Sequence, residues 1–275
     1  MNKVEIKGKT ITAREGEYIK GNMIYCEKCN DPKITVIDGA PYQVNWCSCK
    51  DKAKKEEKIE RFKQHLLNKY GRKYYNINFK NTDIDRGKQF EDAYIAAKMY
   101  ADKYKDYKNA GIGLYLHGKY GSGKTHLAIC IAKQLEWNGH RVMFKQFNDI
   151  LEKIKTSFNN YSPLNADKDQ IIYNLTHHYS GLLIIDDIGN ERFKRGVDDT
   201  YSQEIVYKIV DERLKNNLPT IFTSNFKLSD LVESKGLWQK TADRINEMTY
   251  KKKYEMNGKS YRGKKAEEKL REIEQ

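Results

Sequence analysis

Four short strand-like segments recur between residues 112 and 225 of the chain, and helical patterns separate them. They occupy residues 112–117, 141–146, 182–187 and 219–225. The four consecutive apolar residues at 182–185 are typical of a strand buried on both faces of a parallel sheet. Apolar residues at helical spacing predict helices at 90–104, 126–135, 147–157, 170–179 and 200–215. This alternation predicts an α/β domain with a central parallel sheet flanked by helices.

The first 74 residues have a different pattern. Short β-like pieces with Gly and Asn turns fill residues 1–49, and a Lys/Glu-rich stretch follows up to Tyr70 with Ile59, Phe62, Leu66 and Leu67 at helical spacing. We therefore expect a small domain at 1–50, a helical linker at 51–74 with its helix ending at Gly71, and the larger domain at 75–275. The helix either docks on a partner or guides DNA, or it is a solvated linker with one packed stripe.

A glycine-rich loop lies between the strand at 112–117 and the helix at 126–135. Residues 118–125 read G-K-Y-G-S-G-K-T and fit G-x-x-x-x-G-K-[ST]. In this motif backbone N–H groups surround nucleotide phosphates, lysine meets the β and γ oxygens, and the hydroxyl holds Mg²⁺. The alternative is a glycine-rich turn that binds nothing. The predicted nucleotide-binding residues here are Gly118, Gly121, Ser122, Gly123, Lys124, Thr125 and His126.

Two adjacent carboxylates end the apolar run at 182–187. Asp186 is expected to act on Mg²⁺ through its water shell and to belong to the nucleotide-binding set, and Asp187 to polarise the attacking water. Glu191 lies four residues further on and shares or replaces the role of base. An apolar strand ending in two aspartates is common alone, but about 60 residues after a P-loop it favours the catalytic interpretation.

Three later polar residues complete the predicted site. Asn225 ends the run at 219–225, where a γ-phosphate or its water can be sensed, and it is a better candidate than Ser224. Arg244 and Arg262 lie in a lysine-rich region, and the rigid guanidinium fork suits γ-phosphate charge within a subunit or across a subunit boundary. Taken alone, each arginine also fits a surface salt bridge.

Four of the five cysteines lie in the first 49 residues. A C-x-x-C pair and a C-x-C pair are formed by Cys26, Cys29, Cys47 and Cys49. Two such turns complete a tetrahedral thiolate site, so we expect one structural zinc rather than a catalytic one. A redox pair and coincidental spacing are the alternatives. The C-x-C spacing is the less common, and His65 leaves the ligand set open in detail.

Charge points to a polyanionic partner. Lys+Arg number 51 against 38 Asp+Glu, a net charge of +13 that favours nucleic acid or an acidic protein surface. Candidate DNA contacts around the loop-like 159–167 stretch are Lys145, Lys153, Lys155, Phe158 and Tyr161, although core packing explains Phe158 equally well. No apolar run is long enough to span a bilayer and no signal core begins the chain, so we expect a cytoplasmic protein without membrane contact.

Five segments together resemble one family, the AAA+ helicase loaders of the bacterial DnaC/DnaI type, which includes phage-encoded relatives. They are residues 118–125, 182–189 ending D-D-I-G, 218–226, 242–245 and 260–262. The resemblance covers roughly residues 75–265. It implies an AAA+ nucleotide domain behind a small zinc-binding module that grips a replicative DnaB-type helicase. It also implies ATP-dependent loading of that helicase onto single-stranded DNA.

The same resemblance implies individual roles. Asn225 is similar to the family's first sensor, Arg244 to its arginine finger and Arg262 to its second sensor. A finger supplied by a neighbouring subunit implies self-association and slow hydrolysis that DNA or assembly stimulates.

Two other functions remain open from the sequence. An IstB-like transposition helper ATPase shares the nucleotide domain but serves a transposase, and the cysteine module favours the loader over it. A zinc-containing nucleic-acid-binding adaptor, in which ATP only gates binding, is the second. The paired aspartates favour turnover over such a gate.

Overall fold

A computed structural model of the chain describes residues 3–6, 9–12, 17–20, 23–26, 32–37, 40–44, 48–159, 168–177, 181–189, 197–258 and 270–271. The chain divides into two compact units, Met1–Gln64 and His65–Gln275. The division falls inside the 51–74 stretch that the sequence predicts as a linker.

Short antiparallel strands account for the described residues of the first unit that precede Ser48. They are β1 (Lys3–Ile6), β2 (Lys9–Thr12), β3 (Glu17–Lys20), β4 (Met23–Cys26), β5 (Pro32–Ile37) and β6 (Ala40–Val44). The first two pair with each other, and β3 to β6 form a four-stranded sheet in sequence order. The expectation of short β pieces in this region is therefore confirmed.

One long helix follows, α1 (Ser48–Tyr70). It begins two residues before the Lys/Glu-rich stretch, which starts at Lys50. It ends, as expected, where Gly71 follows, because a φ of 84° lies outside the helical region. The Gly71 N–H donates to the Leu67 carbonyl at 3.0 Å and closes the last turn. Leu66, one of the predicted apolar stripe, is completely buried.

The second unit alternates helices and strands after two 3₁₀ turns (Arg72–Tyr74 and Phe79–Asn81). Its elements are α2 (Lys88–Asp102), α3 (Tyr104–Asn109), β7 (Leu114–His117), α4 (Lys124–Trp137), β8 (Val142–Gln146), α5 (Phe147–Asn159), α6 (Lys168–Thr176), β9 (Leu182–Ile188), α7 (Val197–Lys215), β10 (Thr220–Ser224), α8 (Leu228–Glu233), α9 (Gln239–Met248) and β11 (Lys253–Glu255). Among the described residues, no helix is long and apolar enough to cross a bilayer.

A five-stranded parallel sheet organises this unit. The strand order is β11-β7-β10-β9-β8, and all four neighbouring pairs are parallel. The predicted α/β fold with a central parallel sheet is thus confirmed. Because the strands are parallel, the loops after β7, β9 and β10 emerge at one edge, where such sheets bind ligands.

Buried aliphatic and aromatic side chains hold the sheet between its helices. In the central strands β7 and β10 every residue is buried, as is typical of strands covered on both faces of a parallel sheet. Arg213 of α7 is also completely buried, and its guanidinium donates to the carbonyls of Leu175, Gly181 and Pro219 and to the Thr220 hydroxyl. Those bonds make a buried charge tolerable.

The structure corrects several boundaries. The predicted helix at 90–104 is two helices, since Lys103 leaves helical geometry at φ −104° and ψ 25° and Tyr104 begins α3. Strand β7 starts at Leu114, because the Gly113 N–H instead donates to the Met248 carbonyl at 2.8 Å. The predicted helix at 170–179 ends at Thr176, and residues 178–180 lie outside the described residues.

Candidate nucleotide-binding site

The glycine-rich loop joins the central strand β7 to the N-terminus of α4. Gly118, Gly121 and Gly123 have φ values of 129°, 76° and 104°, a region that side chains rarely adopt. Lys124 and Thr125 form the first turn of α4, so unpaired helical N–H groups face the loop, where an anion binds. The predicted strand–loop–helix order is present.

The Lys124 ammonium group lies inside this loop. Its Nζ donates to the carbonyls of Gly118 at 2.9 Å and Lys119 at 2.8 Å, and the residue is 7% exposed. A charge held over the loop neutralises phosphate oxygens without a large rearrangement of the side chain.

Two of the glycines are also required by packing. A Cβ on Gly118 would lie 2.3 Å from the Met256 carbonyl oxygen, and one on Gly123 would lie 2.6 Å from Cε2 of Phe90. The loop is further held where the Asn257 side-chain oxygen accepts from the Lys119 N–H at 3.2 Å. The segment after β11 therefore fixes the start of the loop, a contact that the sequence pattern does not reveal.

Asp186 lies at the centre of the site, on β9, with 1% of its surface exposed. Its Oδ1 accepts from the Thr125 hydroxyl at 2.9 Å and from the Thr223 hydroxyl at 2.6 Å, and its Oδ2 from the Tyr70 hydroxyl at 3.2 Å. Burial raises the pKa of this carboxyl to about 6, against the opposing effect of the hydrogen bonds.

Asp187 and Asn225 are brought together at the same edge of the sheet. The Asn225 Nδ2 donates to Oδ1 of Asp187 at 2.9 Å, and the Asp187 N–H donates to the Thr223 hydroxyl at 2.8 Å. Asp187 has a left-handed backbone, with φ 67°, and such outliers are concentrated at functional sites. The other candidate, Ser224, is completely buried and donates to the Ile188 carbonyl at 2.7 Å.

The arrangement of Thr125 and Asp186 fits a hydrated Mg²⁺ ion. Because the Thr125 hydroxyl gives its proton to Asp186, its oxygen lone pairs are available to a hard cation. The Asp186 carboxylate, directly behind that oxygen, can accept hydrogen bonds from metal-bound water. The residues present therefore fit magnesium and a nucleotide phosphate.

A cavity of about 320 Å³ opens beside the loop. It lies among the loop residues Gly118, Lys119 and Tyr120, the amide of Asn225 and Glu255 of β11. Glu255 accepts from the Asn257 side-chain amide at 2.8 Å and pairs with Lys227 at 3.2 Å. The cavity thus joins the loop to the strand end that carries Asn225.

Other predicted residues have structural partners. The His126 ring nitrogen Nε2 lies 2.8 Å from the Thr82 hydroxyl. Arg244 of α9 pairs with Asp211 at 3.0 Å and Glu247 at 3.3 Å. Of the candidate DNA contacts, Lys153 is exposed and Lys145 is partly buried.

Several predictions fall outside the described residues. Glu191, Arg262, Cys29, Cys47 and Tyr161 are among these positions, and the side chains of Cys26, Cys49, Lys155 and Phe158 are likewise not described. Within the described part of the chain, no group of three or more His, Cys, Asp and Glu side chains is arranged to hold a metal ion. The zinc interpretation therefore stays a prediction.

Two side chains that donate hydrogen bonds to Asp186 were not predicted from the sequence. Thr223 bridges the two aspartates, and Tyr70 reaches Asp186 from α1. Thr223 lies in the polar end of the segment at 219–225, directly before Ser224 and Asn225, and this position was a signal for it. No local signal marks Tyr70, since its contact spans 116 positions along the chain.

Known replication proteins resemble the chain in sequence. It is 27% identical over 237 residues to the replicative helicase loader DnaI of Bacillus subtilis (strain 168), covering 78% of this chain and 68% of that protein. It is 31% identical over 164 residues to the replicative helicase loader DnaC of Buchnera aphidicola subsp. Baizongia pistaciae, covering 59% of this chain and 61% of that protein. The chain therefore spans less than two thirds of that DnaC.

Solved structures share the fold of this chain, and a family model matches its sequence. The crystal structure of the DnaC helicase loader shares the fold with a TM-score of 0.56 at 22% identity, over 68% of this chain and 99% of that one. The DnaI crystal structure gives a TM-score of 0.53 at 22% identity, over 69% of this chain and 92% of that one. The model of the IstB-like ATP binding proteins matches residues 89–269. Since that match spans more than half of the chain, the protein belongs to the family of IstB-like ATP-binding proteins.

Proposed function

We propose that this chain is an ATPase that loads a replicative DnaB-type helicase onto single-stranded DNA. The observation that carries the catalytic part is the convergence of Thr125, Asp186, Asp187 and Asn225 at one edge of the sheet. The relatives named replicative helicase loaders support the biological role.

The chain's own groups divide the work of hydrolysis. Lys124 and the loop N–H groups bind the phosphates, and Thr125 with Asp186 holds Mg²⁺, which neutralises charge that develops on the transferred phosphoryl group. Asp187 accepts a proton from the attacking water, and its geometry suits this because Asn225 fixes one of its oxygens at 2.9 Å. Glu191 shares that role of base.

Arginines from assembled subunits complete the site. We assign Arg244 as the finger that reaches a neighbouring subunit and Arg262 as a sensor within its own. Arg244 is 40% exposed, and its partner Asp211 is 8% exposed and also pairs with Lys215. Because Lys215 remains to neutralise Asp211, the guanidinium can exchange this partner for a phosphate. The single chain then hydrolyses slowly and the assembly faster.

Arg244 has a clean test because its partner offers a control. Arg244→Ala should abolish the acceleration of hydrolysis on assembly, while Asp211→Asn, which removes this ion pair and the one with Lys215 but leaves the arginine, should keep it. Equal loss in both variants would mean that the pair only stabilises the contact between α7 and α9.

The four N-terminal cysteines are proposed to hold one structural zinc in the module that binds the helicase. Cys26, Cys29, Cys47 and Cys49 supply a closed thiolate set, which leaves no open position for catalysis. Purified protein should contain one zinc per chain, and Cys29→Ser should lose it. Cys130→Ser is the matched control, because Cys130 is buried in α4, and it should keep the metal.

Loading itself is measured on circular single-stranded DNA, which a preformed helicase ring cannot enter from an end. With the purified replicative helicase of the same cell, the chain and ATP should increase unwinding of a strand annealed to the circle, and Lys124→Ala should not. Absence of both helicase binding and stimulation contradicts the loader role. Capture of a transposase subunit instead favours a transposition helper.

A further inference from the structure

The last residue of α1 reaches into the nucleotide site. The Tyr70 hydroxyl lies 3.2 Å from Oδ2 of Asp186 and also hydrogen-bonds the Gln146 side chain. Burial and the charge of Asp186 raise the pKa of Tyr70, so the phenol stays protonated and donates a hydrogen bond to the carboxylate. Gln146 and Asp186 are register partners on β8 and β9, which places the phenol between two strand ends.

This contact differs in origin from the other donors to Asp186. Thr125 of α4 and Thr223 of β10 both donate hydrogen bonds to Oδ1 of Asp186, whereas Oδ2 accepts a hydrogen bond from Tyr70. For a carboxylate that is 1% exposed, each donor favours the charged form and fixes the orientation of its oxygens. A magnesium site needs both properties in the carboxylate behind it.

The position of the phenol depends on how the end of α1 from His65 to Tyr70, which belongs to the second unit, packs on the rest of that unit. Leu66 is completely buried, and the Lys69 Nζ pairs with Oδ1 of Asp149 at 2.6 Å. The Tyr70 ring meets the Phe144 ring edge-on, with 5.7 Å between centroids. Just beyond, the Lys133 ammonium group of α4 donates to the carbonyls of Tyr74, Tyr75 and Ile77.

We propose that Tyr70 is a positioning residue for the Mg²⁺ site and that helix α1 sets the Mg²⁺ affinity through it. This rests on the ATP-binding role proposed above and adds a means of regulating it. Helix α1 is continuous from Ser48, and the division between the two units falls within it at Gln64. A partner that shifts the docked end of α1 removes a donor from Asp186 and thereby weakens Mg²⁺ binding.

The first test removes only the hydroxyl. Tyr70→Phe keeps the ring and its packing, and we expect the half-saturating Mg²⁺ concentration for binding a fluorescent non-hydrolysable ATP analogue to rise about tenfold, as for loss of one hydrogen bond to a charged group. Binding of the analogue in EDTA should stay unchanged. Tyr94→Phe is the matched control, because it deletes a hydroxyl that donates to the Phe79 carbonyl, and it should leave both values unchanged.

The second test asks whether α1 acts through Tyr70. Leu66→Ala loosens the docked turns, and it should raise the half-saturating Mg²⁺ concentration in the wild-type background but have no further effect in the Tyr70→Phe background. Such non-additivity is the signature of a shared route. Additive effects overturn the role of α1, and thermal melts confirm that each variant is folded.

The outcomes separate this inference from the function on which it rests. If wild-type protein shows no Mg²⁺-dependent binding of the analogue, the proposed ATP site fails. If wild type binds with Mg²⁺ and Tyr70→Phe matches it or binds more tightly, only the positioning role is wrong.

Discussion

The Thr125 hydroxyl donates a 2.9 Å hydrogen bond to Oδ1 of Asp186, joining the first turn of α4 to the end of β9. The bond orients the threonine oxygen so that its lone pairs are available to a cation. The Asp186 carboxylate is almost completely buried and accepts hydrogen bonds from three hydroxyl groups. The site is therefore arranged for Mg²⁺ at a cost in folding stability.

That cost is measurable as a dependence of stability on pH. Burial raises the pKa of Asp186 to about 6, whereas an unfolded aspartate titrates near about 3.9. The folded chain thus binds this proton more tightly than the unfolded chain does. The carboxylate destabilises the fold above pH 6, and the penalty shrinks as pH falls through 6 towards 4.

Asp186→Asn should accordingly stabilise the nucleotide-free protein at pH 7.5, by about 2 kcal/mol. The difference in the free energy of unfolding between this variant and wild type should fall by about half at pH 5, where the wild-type carboxyl is mostly protonated in the folded state. Urea unfolding of both proteins at the two pH values provides the comparison. A gap that is zero, or that is independent of pH, would contradict the raised pKa.

Asn225→Ala should separate catalysis from binding. The amide holds Oδ1 of Asp187 at 2.9 Å, so its loss frees the proposed base and should slow hydrolysis about 100-fold. Nucleotide affinity should stay within about threefold, since the P-loop supplies most phosphate contacts. The control is Asn216→Ala at the end of α7, whose amide donates to the Thr176 carbonyl. Equal effects in the two variants would remove Asn225 from the mechanism.

Arg213→Met should be the most destabilising of the substitutions considered. It leaves buried carbonyl groups, including those of Gly181 and Pro219, without the guanidinium donor, which costs at least about 3 kcal/mol. Lys215→Met is the matched control on the same helix, because Lys215 is exposed and its partner Asp211 keeps a second ion pair, with Arg244. Similar melting temperatures for both variants would show that the buried guanidinium is dispensable.

Cys130 should resist alkylation in the folded protein. It is 1% exposed, and burial raises the pKa of its thiol to about 11, so almost none of the reactive thiolate exists at pH 7.5. Iodoacetamide followed by peptide mass mapping should label Cys130 only after denaturation. A cysteine introduced by Asn138→Cys, at an exposed position just after α4, should react at once. Comparable labelling rates would mean that α4 is not packed as described.

Periodicity predicted the central sheet well because its strands are buried on both faces. Residues 182–185 at the start of β9 are wholly apolar, and Ile221 and Phe222 form the apolar centre of β10, so both strands could be recognised locally. Strand β11 could not be recognised, since Lys253–Glu255 has only three mostly polar residues and is defined by pairing with β7. Such an edge strand forms because it pairs with a strand that is distant in the sequence, and the local residues do not indicate it.

The site was predictable where motifs are local and not where contacts span the chain. The P-loop, Asp186, Asp187 and Asn225 each end or follow a recognisable strand. Tyr70 and Asn257 reach the site from segments 116 and 138 positions away from their partners, and neither belongs to a pattern. Their roles depend on tertiary packing alone.

Single-turnover hydrolysis of ATP tests the central claim most directly. Wild-type protein in excess over ATP and with Mg²⁺ should convert bound ATP to ADP, faster when single-stranded DNA is present. Asp187→Asn, which suits the left-handed backbone at that position, should bind ATP equally well and hydrolyse it at least about 100-fold more slowly. If wild type binds ATP but turns it over no faster than Asp187→Asn, the chain is a nucleotide-gated adaptor and not an ATPase.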